Sequence, residues 1–283
     1  MKIGYIGLGN LGKTIAKRLI HSGYSLSVWN RTISKADDLE VEIAASPAEL
    51  VASVDVIFLC LFDSKAVREV LEGKNGLLSV PLHGKIVVDL TTNHFDEVVG
   101  FHQSCMDKGG QYLESPVLGS VVPASQGKLT VLVSGRKEAY EKVENILKCI
   151  GQHLFYLADP GLACKMKVIN NLTLGSFMAA LAEATALGEK VGLDKACVLD
   201  ILDAGGGKSM MLSAKRNKLL NEDFSSHFSC GLIYKDLDCL QDLAYQLKVP
   251  LFSGSMAKEL YAQTFVRGFD QEDLSAIYKL YKK

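Results

Sequence analysis

The sequence predicts an α/β domain with a doubly wound sheet over residues 1–162, followed by an all-α domain over 163–283 that a long helix joins to it. Three observations carry that expectation. Short runs rich in aliphatic and β-branched residues alternate with helix-period segments through the first half. After Gly161 the strand signal nearly stops and helical periodicity takes over. At 283 residues the chain is also long enough for two domains of ordinary size.

The strand runs, in order, are KIGYI (2–6), LSVWN (26–30), VDVIFLCL (54–61), GKIVVDL (84–90), QYLESPV (111–117), LTVLVSG (129–135) and HLFYL (153–157). Several are unbroken apolar runs, the pattern of strands covered on both faces of a parallel sheet. Segments such as GKTIAKRLIHSG and DSKAVREVLEG supply helices between them. In the second half, helices are expected over 164–190, 195–204, 209–220, 230–246 and 253–266, with a weaker pattern over 270–281. Pro160-Gly161, Gly192, Gly205–Gly207 and Pro250 mark the breaks.

Composition narrows the function. The chain is 48% hydrophobic and 22% charged, the balance of a globular protein with a substantial core. A formal net charge of -1 leaves no basic excess for a nucleic-acid partner. The seven cysteines form no C-x-x-C pair and no Cys/His cluster, so neither a disulfide framework nor a metal site is expected, and a reducing cytoplasm suits them. The first strand begins at Lys2, leaving no room for a leader, and Glu183 interrupts the apolar run over 172–188, so no membrane span is expected. GGGKS at 205–209 imitates the end of a phosphate-binding P-loop, but no strand precedes it and Leu202 stands where the first glycine belongs.

The first strand runs directly into Gly7-Leu8-Gly9-Asn10-Leu11-Gly12, a G-x-G-x-x-G turn that opens a helix. Gly7 permits the tight turn, Gly9 lets backbone approach a pyrophosphate, and Gly12 lets helix and strand pack closely. The helix N-terminus offers its N–H groups to the phosphates. This is the fingerprint of a Rossmann-type dinucleotide domain. The second strand ends on Asn30, Arg31 and Thr32, with no acidic residue to take a ribose 2′-hydroxyl. A guanidinium there pairs with a 2′-phosphate, so the expected cofactor is NADP(H) in preference to NAD.

With these residues in view, the chain resembles the β-hydroxyacid dehydrogenase family, which includes 3-hydroxyisobutyrate dehydrogenase and the glyoxylate/succinic semialdehyde reductases. The resemblance rests on GLGNLG at 7–12, DLTTN at 89–93, ESPVLGSVVPASQGKLTVLVSG at 114–135, GLACKMKVINN at 161–171 and YKDL at 234–237, in the family's order and over essentially the whole length. It implies that Lys167 is the catalytic lysine and Asn171 its partner. It also implies that Thr92 and Lys235 lie by the cofactor, with Leu61 and Phe62 counted beside them. Leu118, Gly119, Ser120, Asn171 and Asp236 fall at substrate positions. Leu118 stands where the family usually has serine, and Ala163 where it often has glycine.

The implied activity is NADP-dependent hydride transfer on a small carboxylate-bearing substrate, as a reductase of a glyoxylate- or succinic-semialdehyde-like aldehyde acid. Oxidation of a 3-hydroxyacid (3-hydroxyisobutyrate, 3-hydroxypropionate or serine) is the alternative. An imine reductase, which generally lacks the lysine, and a non-catalytic NADP-binding relative are further ones. No metal is implied, and a homodimer or homotetramer through the helical domain is. Two positions along a helix turn the chain by about 200°, so Lys165 and Lys167 cannot share a face. Lys167 shares one with Asn171, and Lys165 is expected to point to solvent.

Overall fold

The computed structural model describes residues 1–282, which divide into two compact units, Met1–Lys167 and Val168–Lys283. In the first, strands β1 (Ile3–Ile6), β2 (Leu26–Trp29), β3 (Glu42–Ile43), β4 (Val56–Leu59), β5 (Ile86–Asp89), β6 (Gln111–Glu114), β7 (Val117–Leu118), β8 (Leu129–Gly135) and β9 (Gly151–Ala158) form one sheet. Helices α1 (Asn10–His21), α2 (Pro47–Ser53), α3 (Ser64–Glu72), α4 (Phe95–Asp107), α5 (Val121–Ser125) and α6 (Lys137–Ile150) lie between the strands. The strand order is β3-β2-β1-β4-β5-β6-β8-β7, with β9 paired to β8. The order reverses beside β1, and the glycine turn sits there, where open α/β sheets bind their ligands.

From β3 to β6 every pairing is parallel, as the unbroken apolar strands predict. Beyond β6 the expectation of a parallel sheet is corrected: β8 runs antiparallel to both β6 and β7. A parallel return needs a crossover of a dozen residues or more, and the link from Leu118 to Leu129 is too short to supply one. The single strand expected over 111–117 is broken in two, because Pro116 has no N–H to donate to the ladder. The last strand is longer than expected and lies at an edge, with Phe155 53% exposed, rather than covered on both faces. The core of this unit joins Ile3, Tyr5, Val28, Phe58 and Val88 of the sheet to Ile15 and Leu19 of α1 and Val143 and Leu147 of α6. Each such side chain stabilises the fold by roughly 1.5–3 kcal/mol on burial.

The helical unit takes over within α7 (Leu162–Lys190) and adds α8 (Lys195–Ala204), α9 (Met210–Asn221), α10 (Cys230–Leu247) and α11 (Phe252–Val266). The weak pattern near the end of the chain becomes a 3-10 helix over Leu274–Tyr281. Helices α8, α9 and α10 begin at Asp194, Ser209 and Ser229, whose side chains accept backbone N–H bonds from their own first turns. Inside the unit, Lys215 Nζ and Asp273 form a buried ion pair at 2.8 Å. The same carboxylate accepts the N–H groups of His227 and Phe228, tying their loop to the 3-10 helix. Among the described residues no helix is long and apolar enough to cross a membrane.

Candidate active site

The turn after β1 is built from backbone. Gly7 has φ +100°, and a Cβ there would strike the Cys60 carbonyl oxygen; a Cβ on Gly12 would strike the Gly7 carbonyl oxygen. Side chains are therefore excluded at both positions by the chain's own packing. Gly9 is different: nothing lies within 4 Å of where its Cβ would be. It is the last residue before α1, it caps that helix with no side-chain hydrogen bond, and the first turn holds no acidic residue. The free N–H groups and positive dipole end of α1 thus meet open space over Gly9, an arrangement that fits a dinucleotide pyrophosphate.

The second strand is locked to this turn. Gly7 N–H donates to Trp29 O at 3.3 Å, Leu8 N–H donates to Asn30 Oδ1 at 2.9 Å, and Asn30 Nδ2 donates to Thr32 O at 2.7 Å. Asn30 thus holds the glycine turn in place. The N–H of Leu8 is taken by Asn30, and its side chain belongs to the core. Asn10, Arg31 and Thr32 are exposed, and Leu11 is half-buried. Lys35, which sequence reasoning passed over, is exposed one turn beyond Arg31 on the short 3-10 helix Ile33–Ala36. Lys13 and Lys17 are paired with Asp38, whose carboxyl they hold well below the usual carboxylate range.

At the carboxyl ends of β4 and β5, Leu61 N–H donates to Thr91 Oγ1 at 2.9 Å. Thr91, the neighbour of the expected cofactor residue Thr92, makes that tie. Asp89 accepts from Thr91 N–H at 2.9 Å, from Asn93 Nδ2 at 2.7 Å and from the Tyr112 hydroxyl at 2.5 Å. Burial pushes the Asp89 carboxyl up, and those hydrogen bonds partly oppose the shift. This buried network shapes the segment that carries Thr92, which is itself half-buried. Phe62 is 57% exposed. Across the next strand, Leu118 pairs with Thr130, Gly119 takes φ +112°, and Ser120 precedes α5 without spending its hydroxyl on a cap.

Helix α7 carries the candidate chemistry. Lys167 is 7% exposed and Asn171, one turn on, is fully buried. In the helical unit, Asn171 Nδ2 donates to Asp236 Oδ2 at 2.6 Å, and Lys235 Nζ pairs with Asp236 Oδ1 at 2.7 Å. Asp236 is 1% exposed, so its carboxylate is a buried bridge between an amide and an ammonium. Lys165 is corrected: it is half-buried, with its ammonium 5.4 Å from the Phe95 ring centroid rather than turned to solvent. Sequence reasoning also missed Glu114, which is fully buried and accepts from Gly161 N–H at 2.7 Å and Ala163 N–H at 3.2 Å. Among the described residues no three His, Cys, Asp or Glu side chains are placed to hold a metal ion.

A backbone-built dinucleotide turn followed by a lysine-bearing helix defines an NAD(P)-binding oxidoreductase class, and the comparisons with known proteins agree. Residues 2–158 match the family model for the NAD binding domain of 6-phosphogluconate dehydrogenase. Residues 161–281 match that for the NAD-binding of NADP-dependent 3-hydroxyisobutyrate dehydrogenase. The chain belongs to the β-hydroxyacid dehydrogenase family, as a 3-hydroxyisobutyrate dehydrogenase-like member.

Among curated relatives, glyoxylate/succinic semialdehyde reductase 2, chloroplastic, of Arabidopsis thaliana is 33% identical over 100% of this chain and 80% of its own. Cytokine-like nuclear factor N-PAC of Gallus gallus is 34% identical over 99% of this chain. The chain spans about half, 51%, of that relative's length. The solved structure of Psf3 in complex with NADP+ and 2-OPP superposes with a TM-score of 0.91 at 29% identity, covering 98% of this chain and 99% of that one.

Proposed function

We propose that this chain is an NADPH-preferring reductase of small aldehyde acids of the glyoxylate or succinic semialdehyde class. The observation that carries the reading is Lys167, buried on α7 one turn before Asn171. Reduction of a carbonyl adds a hydride to carbon and a proton to oxygen. NADPH, when bound, supplies the hydride. Lys167 donates the proton, and its ammonium stabilises the negative charge that develops on the substrate oxygen. Asn171 orients the substrate, and Asp236 fixes Asn171 through the 2.6 Å bond. The backbone around Gly119 and Ser120, with the Ser120 hydroxyl, receives the substrate carboxylate, while Leu118 makes that wall apolar. Gly7, Gly9, Gly12 and the start of α1 hold the pyrophosphate, Arg31 and Thr32 the 2′-phosphate, and Thr92 the nicotinamide end; for Lys235 the family resemblance alone assigns a cofactor role.

The Arabidopsis relative's name supports this substrate class, and the NADP+ in the Psf3 complex supports the cofactor. The match of residues 161–281 to the dehydrogenase model favours a second reading, in which Lys167 acts as base for oxidation of a 3-hydroxyacid. The N-PAC relatives, named as nuclear factors, favour a third, in which the chain binds NADPH without turnover. The cysteines are free, which supports a cytoplasmic location. Exposed apolar residues such as Leu187, Val191, Phe252 and Met256 support a homodimer or homotetramer through the helical unit.

The deciding experiment follows NADPH oxidation over glyoxylate, succinic semialdehyde and methylmalonate semialdehyde, with NADH as control and with NADP+-linked oxidation of 3-hydroxyacids in parallel. The reductase reading expects turnover of at least one aldehyde acid, faster with NADPH. Tight NADPH binding with no turnover in either direction overturns it in favour of the third reading.

A further inference from the structure

We propose that Glu114 is the positioning residue for Lys167: its buried carboxylate clasps the first turn of α7 and so fixes where the lysine stands one turn later. The inference rests on the reading of Lys167 as the proton donor.

The other helices show what is unusual here. Helices α2, α3, α8, α9 and α10 are capped by the residue that precedes them, Ser46, Asp63, Asp194, Ser209 and Ser229. A cap of that kind satisfies orphan N–H groups but moves with its helix. The first turn of α7 is held instead by a carboxylate from a strand 47 residues earlier in the chain. That cap satisfies the N–H groups and also locates the helix against the sheet.

Glu114 is well rooted for this task. It is the last residue of β6, in register with Asp89 of β5 on one side and Ser134 of β8 on the other. Oε1 takes both helix N–H groups, from Gly161 and Ala163, while Ser134 Oγ accepts a second bond from Ala163 N–H at 3.1 Å. The Cys164 thiol lies against the same carboxylate, fully buried. Between β9 and α7 the chain bends through Ala158 at φ +63° and Gly161 at φ +90°, a tight corner whose far side rests on Glu114. In helical pairing Lys167 N–H bonds to the Ala163 carbonyl, so the clamped residue is the one on which the lysine's own turn is built. From Glu114 the chain passes through Ser115 and Pro116 into β7 and then the Gly119–Ser120 segment. A buried carboxylate that takes no part in the reaction is expensive to keep, and placement of Lys167 is the task it performs here.

Three variants test this, each read by aldehyde-acid reduction, NADPH affinity from fluorescence titration, and hydrogen exchange of α7 amides. Glu114→Ala is expected to lower kcat about 100-fold, since small misplacement of a catalytic group is that damaging, with NADPH affinity and the KM for NADPH held within about threefold. Glu114→Gln keeps an acceptor oxygen at the right reach and is expected to restore kcat to within about fivefold of wild type. Glu114→Asp keeps the charge, falls short by a methylene, and is expected to lie between them. Exchange of the Gly161–Lys167 amides should rise in Glu114→Ala while that of β1 and α1 is unchanged.

Wild-type kcat in Glu114→Ala overturns the proposal, and so does equal loss in Ala and Gln or a loss that appears equally in NADPH affinity. If Glu114→Ala does not fold, Asp against Gln decides: full activity in Asp overturns the clasp, and loss in Asp with activity in Gln supports it. If the wild type turns over no substrate, the reductase reading fails, and the exchange data decide the clasp by themselves, with unchanged exchange at 161–167 overturning it.

Discussion

The turn after β1 and the buried face of α7 are the two regions proposed to meet a charged ligand, and they are built by opposite means. At the turn the useful groups are backbone N–H donors, and the sequence contributes by leaving side chains out at Gly7, Gly9 and Gly12. On α7 and α10 the useful groups are all side chains, Lys167, Asn171, Asp236 and Lys235, and Asp236 holds both Asn171 and Lys235. The first arrangement fails when anything is added, and the second fails in steps as each atom is removed. That difference teaches where substitutions should act on binding and where on turnover.

The comparison is sharpened most by Lys167→Ala. Loss of a positioned acid is expected to lower kcat by about 10²–10⁴-fold while NADPH affinity from fluorescence titration stays within about twofold. A variant that retains activity removes Lys167 from the role of acid.

At the turn, Gly7→Ala and Gly9→Ala should separate stability from binding. Gly7→Ala forces a Cβ toward the Cys60 carbonyl at a positive φ, so it should destabilise the fold by about 1–3 kcal/mol in urea unfolding and lose NADPH affinity about 100-fold. Gly9→Ala adds a methyl where nothing stands within 4 Å, so unfolding should be unaltered within about 0.5 kcal/mol while NADPH affinity falls. Equal NADPH affinity in Gly9→Ala and wild type would break the assignment of the open space to the pyrophosphate.

Asp236→Asn tests the side-chain relay. It puts a neutral amide between two donors, Asn171 Nδ2 and Lys235 Nζ, and is expected to lower kcat/KM about 10–100-fold in steady-state assays. The smallest effect is expected at the edge of the site. Arg31→Ala should raise the KM for NADPH about tenfold and leave that for NADH nearly unchanged, because only the 2′-phosphate distinguishes them. Equal changes would mean that Arg31 does not read the phosphate.

The legible parts of this chain are those where a local pattern decides the outcome. Parallel strands announce themselves as unbroken apolar runs, and the change of period after Gly161 marks the start of the helices. The glycine turn is legible because a spacing of small residues has a direct steric meaning. The antiparallel return of β8 is not, since strand direction depends on the length of the Leu118–Leu129 link. Nor could the sequence say which of the adjacent Thr91 and Thr92 would reach back to Leu61, because strand register decides that. Helical phase alone turns Lys165 away from Lys167, but the Phe95 ring it meets comes from α4, far off in sequence. Glu114 is the clearest case. Its partners are backbone groups 47 and 49 residues away, and backbone leaves no mark in a sequence pattern.

Asn30 links two properties, the shape of the glycine turn and the placing of the segment after β2. Its amide oxygen holds Leu8 in the glycine turn and its amide nitrogen holds Thr32, the neighbour of the arginine proposed to choose between cofactors. A chain seeking NAD needs an acid at the end of this strand, and Asn30→Asp is the isosteric way to place it. Aspartate keeps the acceptor for Leu8 but sets an anion against the Thr32 carbonyl. Under the proposed NADPH preference, the Asn30→Asp path to NAD therefore passes through a loosened turn, and compensating changes around residues 31–36 are expected to accompany it.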